Sequence, residues 1–215
     1  MSNSALLVID VQNDFCPGGA LAVDEGDQVV PVINKIAPLF DVVVATRDWH
    51  PQAHVSFASA HEGHDVGEAI EVDGLEQVLW PDHCVQGTKG AAFHPDLDLR
   101  PINLILHKGT SKGLDSYSGF LETDRRTATG LESYLKGLDV SEVTVCGLAT
   151  DYCVFFTAMD AVNAGFKTRV VTDAARGIDQ PEGHLNETLD DMKNAGVSLV
   201  TSASILGGAA SRQRR

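Results

Sequence analysis

Short apolar runs that stop abruptly at a polar residue recur along this chain. Ala5-Leu6-Leu7-Val8-Ile9 closes on Asp10, and Val42-Val43-Val44-Ala45-Thr46 leads to Asp48 and His50. Residues 102–107 close on Lys108, and Val143-Thr144-Val145-Cys146-Gly147 opens onto Leu148-Ala149-Thr150-Asp151-Tyr152-Cys153. Apolar runs of this length without polar alternation are the pattern of strands buried on both faces of a parallel sheet. Further strands are predicted near 168–172 and 197–201. Helical periodicity fits residues 28–40, 127–136, 151–164 and 183–195. In the first of these Val29, Val30, Val32, Ile33, Ile36 and Leu39 form one apolar stripe, with Pro31 near its start. Gly165 and Gly196 stand where helix C-termini turn, just before the next strand. The alternation predicts an α/β fold of three layers, α/β/α, around a six-stranded, mainly parallel, doubly wound sheet with right-handed crossovers. One stretch breaks the rhythm. Between 51 and 99 lie His54, His61, His64, His83 and His94 with little periodicity, and a long irregular excursion in a compact domain is usually functional.

Length and charge narrow the class. A chain of 215 residues suits one domain, expected over 1–210, with the basic end at 211–215 as a flexible tail. A net charge of −14 speaks against binding nucleic acid, which calls for clustered Lys and Arg. No run approaches the roughly 18 apolar residues of a membrane span, and the start lacks the basic-then-apolar layout of a secretory signal. Cys16, Cys84, Cys146 and Cys153 show no CxxC spacing, so reduced thiols and a cytoplasmic location are expected. Nothing in the pattern marks an oligomer interface, and a homo-oligomer stays open.

Ligands of open α/β sheets bind outside the carboxyl ends of the strands, so the polar residues that close the runs converge on one rim. Cys153 falls in a strand-to-helix turn. There it is either a nucleophile whose thiolate is favoured by the helix N-terminus or a buried apolar cysteine. Asp10 alone reads as a loop-capping carboxylate and Lys108 alone as a solvated end of strand. With Cys153, however, they make a proton acceptor and a cation beside a thiol. Asp48 and His50, spaced i, i+2, point to one side of an extended strand end. Carboxylate plus imidazole suits Zn, Fe(II) or Mn(II), with His83 and either His54 or His64 as further candidates. Phe15, Trp80 and Tyr117 fall in rim loops, either as ordinary packing or as walls for a flat heteroaromatic ligand.

These residues sit in five ordered motifs. They are Val8-Ile9-Asp10-Val11-Gln12-Asn13-Asp14-Phe15, Thr46-Arg47-Asp48-Trp49-His50-Pro51, Trp80-Pro81-Asp82-His83-Cys84-Val85, Lys108-Gly109 with Asp115-Ser116-Tyr117-Ser118-Gly119-Phe120, and Gly147-Leu148-Ala149-Thr150-Asp151-Tyr152-Cys153-Val154. In them the chain resembles, over nearly its whole length, the nicotinamidase/pyrazinamidase branch of the isochorismatase-like cysteine hydrolases. The resemblance implies a catalytic triad of Asp10, Lys108 and Cys153. It implies one divalent transition metal ion (Zn, Fe or Mn) on Asp48, His50 and His83, with His54 as a fourth ligand or outer neighbour, and no organic cofactor. It places a cis peptide before Ala149, with the N–H groups of Ala149 and Cys153 as an oxyanion hole, and Phe15, Trp80 and Tyr117 around the substrate ring. The implied activity is hydrolysis of nicotinamide, and of pyrazinamide, through a Cys153 thioester, in NAD salvage. The rival readings are a metal-free carbamoyl or ureido amidohydrolase, an isochorismatase-type hydrolase, and a non-catalytic binding module.

Overall fold

The strands form where the apolar runs predict them. The computed structural model describes residues 3–212, with side chains through 208. Its main sheet contains β1 (Asn3–Ile9), β2 (Val42–Asp48), β5 (Leu104–Lys108), β6 (Val140–Leu148), β7 (Lys167–Arg176) and β8 (Ser198–Val200), in the order β5-β2-β1-β6-β7-β8. Every pairing in it is parallel. Both faces are covered, as the near-continuous hydrophobicity of the runs requires. Along β1, Ala5, Leu7 and Ile9 face one apolar cluster, and Leu6 and Val8 face the other, the period-two alternation of a strand.

Helices fill the two layers. α1 (Val29–Ile36) packs Val29, Val30, Ile33 and Ile36 on the Leu6 side. α2 (Leu131–Gly137), α3 (Phe155–Asn163) and α4 (His184–Asn194) place Leu131, Leu135, Ala158, Ala161 and Met192 on the Leu7 side. At roughly 1.5–3 kcal/mol for each large apolar side chain buried, these two clusters hold the sheet rigid beneath its rim. Gly165 and Gly196 take left-handed φ values of 88° and 93° just after α3 and α4.

Several boundaries differ from the sequence expectation. The stretch expected as a helix over 151–164 begins with a π-helical turn, Thr150–Val154, before α3. Helix α2 starts at Leu131 rather than 127. The 128–130 segment instead follows the Leu121–Ala128 bridge, and Thr129 donates its hydroxyl to Gly119 O at 2.6 Å. The irregular excursion carries a small antiparallel hairpin, β3 (Ala69–Val72) with β4 (Leu75–Val78), whose four-residue strands are too short to register as periodicity. A further helix, α5 (Ser202–Arg212), covers 211 and 212 of the expected tail; 213–215 lie outside the described residues.

The order of strands decides where chemistry can occur. From β1 the chain moves outward to β2 and β5, then returns to add β6 on the other side of β1. The direction of winding therefore reverses between β1 and β6, and loops leaving the carboxyl ends of these two strands part to open a crevice. Asp10 follows β1, Asp48 ends β2, Lys108 ends β5, and Ala149 follows β6.

Candidate active site

Lys108 is the hub of this crevice. It pairs in register with Asp48 on the neighbouring strand, and its side chain is completely buried. Its Nζ donates to Asp48 Oδ1 at 2.5 Å and to Ser116 O at 2.8 Å, lies 2.9 Å from Asp10 Oδ2, and reaches Cys153 Sγ at 3.4 Å. Burial disfavours the ammonium, but Asp10 and Asp48 outweigh it and keep the lysine charged well above its usual range. A single fixed cation thus ties two carboxylates and a thiol together.

Asp10 follows β1 in a left-handed conformation (φ 49°). Its Oδ1 accepts from Thr46 Oγ1 at 2.7 Å; Oδ2 has the Lys108 ion pair but no aligned hydrogen-bond donor, leaving a lone pair free beside the thiol. Burial pushes the Asp10 carboxyl up to about 6 against the opposing pull of Lys108. Cys153 sits in the π-helical turn. Burial pushes its thiol well above the usual range against the pull of Lys108, with Asp10 and Asp48 adding to the rise. Two buried carboxylates, Asp10 and Asp48, lie beside the sulfur, and Asp10 is placed to take its proton. The Leu148–Ala149 peptide is cis.

Asp48, His50 and His83 form a second arrangement sharing Asp48 with the first. Asp48 is held by its main chain: Gln12 Oε1 accepts the Asp48 N–H at 2.8 Å, and Gln12 Nε2 donates to Asp48 O at 2.8 Å. His50 Nδ1 lies 3.0 Å from Gly109 O, and His83 Nδ1 lies 2.8 Å from Pro81 O. A carbonyl only accepts, so both Nδ1 atoms carry hydrogen and both Nε2 lone pairs face inward. The Nε2 atoms lie 3.6 and 4.0 Å from Asp48 Oδ2, and all three donors fall within 4.8 Å of one another. Metal–ligand bonds of about 2.0–2.2 Å separate neighbouring ligands by about 3–4 Å, so these residues fit a divalent transition ion. Burial lowers His83 to about 4, which keeps it a neutral donor. Burial is outweighed by Lys108 and the imidazoles at Asp48, held well below the carboxylate range as an anion.

His54 is placed differently. Its Nδ1 meets Ser56 Oγ at 2.8 Å and its Nε2 meets Leu114 O at 3.1 Å, so both nitrogens are committed. Its ring stacks on His50 with centroids 4.1 Å apart, and it orients that ring rather than facing the donor cluster. His64 is exposed and pairs with Glu68.

A pocket opens beside Cys153, walled by Phe15, Trp80, Tyr117, Tyr152 and Ile178. Trp80 Nε1 donates to Tyr117 Oη at 2.9 Å, and Phe15 tilts over His83 with centroids 5.5 Å apart. All nine residues singled out from the sequence for the triad, the donor set and the aromatic walls therefore meet in one crevice. Sequence reasoning missed Thr46, Gln12, Gly109, Ser116, Tyr152 and Ile178. Tyr152 adjoins Cys153 and could have been flagged; Ile178 comes from a distant loop and leaves no local signal.

Residues 4–204 match the isochorismatase domain. The chain belongs to the isochorismatase family. Within this family a nicotinamidase from Acinetobacter baylyi is 48% identical over 205 residues, spanning 95% of this chain and 95% of its own. A solved structure of a nicotinamidase/pyrazinamidase from Acinetobacter baumanii superposes with a TM-score of 0.93 at 50% identity, covering 95% of this chain and 99% of its own. A pyrazinamidase from Pyrococcus horikoshii, solved in complex with zinc, gives a TM-score of 0.77 at 37% identity, covering 93% and 99%. The zinc complex of that pyrazinamidase and the Asp48, His50 and His83 donor set here both support a metal-bearing site.

Proposed function

We infer that this chain is a nicotinamidase, hydrolysing nicotinamide, and pyrazinamide with it, to the acid and ammonia. The observation that carries the reading is the position of Lys108, whose Nζ touches Asp10, Asp48 and Cys153 at once and so joins a thiol–acid pair to a metal-type donor set. Near full-length similarity to curated nicotinamidases supports the substrate.

In the proposed reaction the Cys153 thiol gives its proton to the free lone pair of Asp10 Oδ2 as Sγ attacks the carboxamide carbon. The N–H groups of Ala149 and Cys153 receive the developing oxyanion; one such donor is commonly worth about 10²–10³ in rate. Asp10 then hands its proton to the leaving nitrogen, ammonia departs, and a thioester remains on Cys153. Asp10, ionised again, takes a proton from water as it attacks the thioester; the C–S bond breaks, nicotinate leaves with its acid proton lost to solvent, and Asp10 returns its proton to Sγ. Lys108 stays charged throughout and keeps both carboxylates in place. Asp48, His50 and His83 would hold a divalent ion (Zn, Fe(II) or Mn(II) all suit the donors), which when bound supplies Lewis-acid affinity for the pyridine nitrogen. Phe15, Trp80 and Tyr117 pack against the ring. No organic cofactor is needed.

We take the catalytic unit to be a single domain over 1–210, a reading supported by one sheet with apolar layers on both faces. The proposed setting is the cytoplasm and the pathway NAD salvage, in keeping with four unpaired thiols. Among the described residues no helix is long and apolar enough to cross a membrane. Ammonia release from nicotinamide by purified protein tests the function. Release that chelation abolishes and Zn, Fe(II) or Mn(II) restores is expected; no release from metal-replete protein would redirect the assignment to carbamoyl compounds.

A further inference from the structure

The cavity at Cys153 is too small to admit its own substrate. It measures about 30 Å³, room for about two waters, so a wall must move before a pyridine ring can enter. Its walls are not equally fixed: Phe15 is buried against His83, and Leu21 packs into the cluster around α1 with its N–H donated to Asp14 O. Trp80 and Tyr117 are locked to each other by the 2.9 Å hydrogen bond, and Tyr117 also stacks on Phe156 at 5.4 Å. Ile178 is pinned through its backbone: its N–H and that of Asp179 donate to the Asp151 carboxylate at 3.0 and 2.7 Å, and Asp151 is buried. Tyr152 is held least. Its hydroxyl has one long contact, 3.4 Å to Gln180 O at the surface, and its ring meets Trp80, Tyr117 and His184 only at edge or tilted angles.

Behind Tyr117 and Tyr152, and sharing both residues with the Cys153 pocket, lies a cavity of about 350 Å³. Its floor is aromatic, with Phe155 and Phe156 beside the two tyrosines, and Leu121 and Val78 complete the apolar lining. The charged groups at its edge are mainly acidic. Glu76, Glu122 and Asp151 line it with His184 and with Arg125, whose guanidinium is already paired with Asp160. Such a chamber suits a flat, uncharged heteroaromatic ring that stacks, and it disfavours an anionic acid of the same shape.

We propose that this cavity is an antechamber in which a neutral aromatic amide docks, and that Tyr152 is the gate through which it passes to Cys153. The chemical class of ligand rests on the nicotinamidase reading; the route itself does not. Substrate stacks on Phe155 and Phe156, the Tyr152 ring swings aside at the cost of one long hydrogen bond and its edge contacts with Trp80, Tyr117 and His184, and the amide slides past Tyr117 to the sulfur. The acid formed meets the carboxylates at the rim and is discouraged from returning.

Thiol labelling separates the route from the chemistry. Cys153 is followed by peptide mass spectrometry during exposure to N-ethylmaleimide, which needs no substrate. Val78→Trp and Leu121→Trp fill the antechamber without touching the site. Each is expected to slow Cys153 labelling tenfold or more, with kcat/KM for nicotinamide falling in parallel, in protein whose melting temperature and circular dichroism match the wild type. Tyr152→Ala is expected to speed labelling tenfold or more. Asp151→Asn, which loosens the Ile178 wall instead, should change it little. Wild-type labelling rates in both filled variants would overturn the proposal, and so would a larger acceleration in Asp151→Asn than in Tyr152→Ala. The expected labelling pattern without ammonia release would leave the route standing and sink the assigned substrate.

Discussion

Replacing Lys108 with methionine removes the one cation that Asp10 and Asp48 share, while keeping most of the side-chain volume. Four contacts at 2.5, 2.9, 2.8 and 3.4 Å disappear, and two carboxylates with side-chain exposures of 0% and 5% are left facing each other. Breaking a buried pair by removing one partner costs about 3–5 kcal/mol. For a domain of this size each kcal/mol shifts the melting temperature by about 2–4 °C, so a drop of about 6–20 °C is expected near neutral pH. The pH dependence follows from the sign of the shifts. Lys108 lowers both carboxyls, so without it both folded pKa values rise, and that of Asp10, already raised by burial, rises further. A carboxyl raised in the folded state contributes its stability while protonated and loses it as pH climbs through the folded value. Asp48 loses, at every pH above the unfolded carboxyl range, the stabilisation that Lys108 gave it, so the deficit against wild type is already present at pH 5 and should grow toward pH 8. Urea unfolding of both proteins at pH 5, 6.5 and 8, with chelator in every sample, measures it. Turnover in metal-replete variant should fall by about 10³ or more, since Asp10 would hold its proton and no longer act as base. A deficit below about 1 kcal/mol at pH 8, or one that does not change with pH, would refute the argument that Lys108 holds two buried charges.

Other outcomes are equally open to measurement. The Asp10 carboxyl, raised by burial to about 6, must be ionised to accept the thiol proton; kcat/KM should therefore decline below about pH 6, and a profile flat down to pH 4.5 would exclude Asp10 as the base. Gly109→Ala should disturb the donor set from behind. A Cβ there would lie 2.4 Å from His50 Cε1 at a backbone φ of +59°, so metal affinity should fall about 10–100-fold, read by metal content after dialysis at fixed free ion. Cys153→Ala should abolish turnover while ring binding, followed by calorimetry with nicotinamide, stays within a few-fold of wild type; turnover above background would contradict a thioester pathway.

The sequence by itself determined the parallel sheet, because strands buried on both faces must be apolar without alternation, and that pattern survives any change in what packs against them. It also located the chemistry. Asp10, Asp48, Lys108 and Cys153 each interrupt or follow an apolar run, and parallel strands send every such terminus to one rim. His83 stood among several histidine candidates until motif resemblance singled it out, since it comes from the irregular excursion, where no period operates. Tertiary structure alone decided the rest. The order β5-β2-β1-β6 puts Lys108 beside Asp48 and both near Cys153, a consequence of crossovers rather than of any local signal. Which nitrogen of His50 and His83 faces inward depends on the carbonyls of Gly109 and Pro81. Which carboxylates lie beside the Cys153 thiol, and so which group can serve as its base, depends on how the ends of β1, β2 and β6 come together. Burial and proximity between distant segments set these properties, and a linear pattern of hydrophobicity carries no record of either.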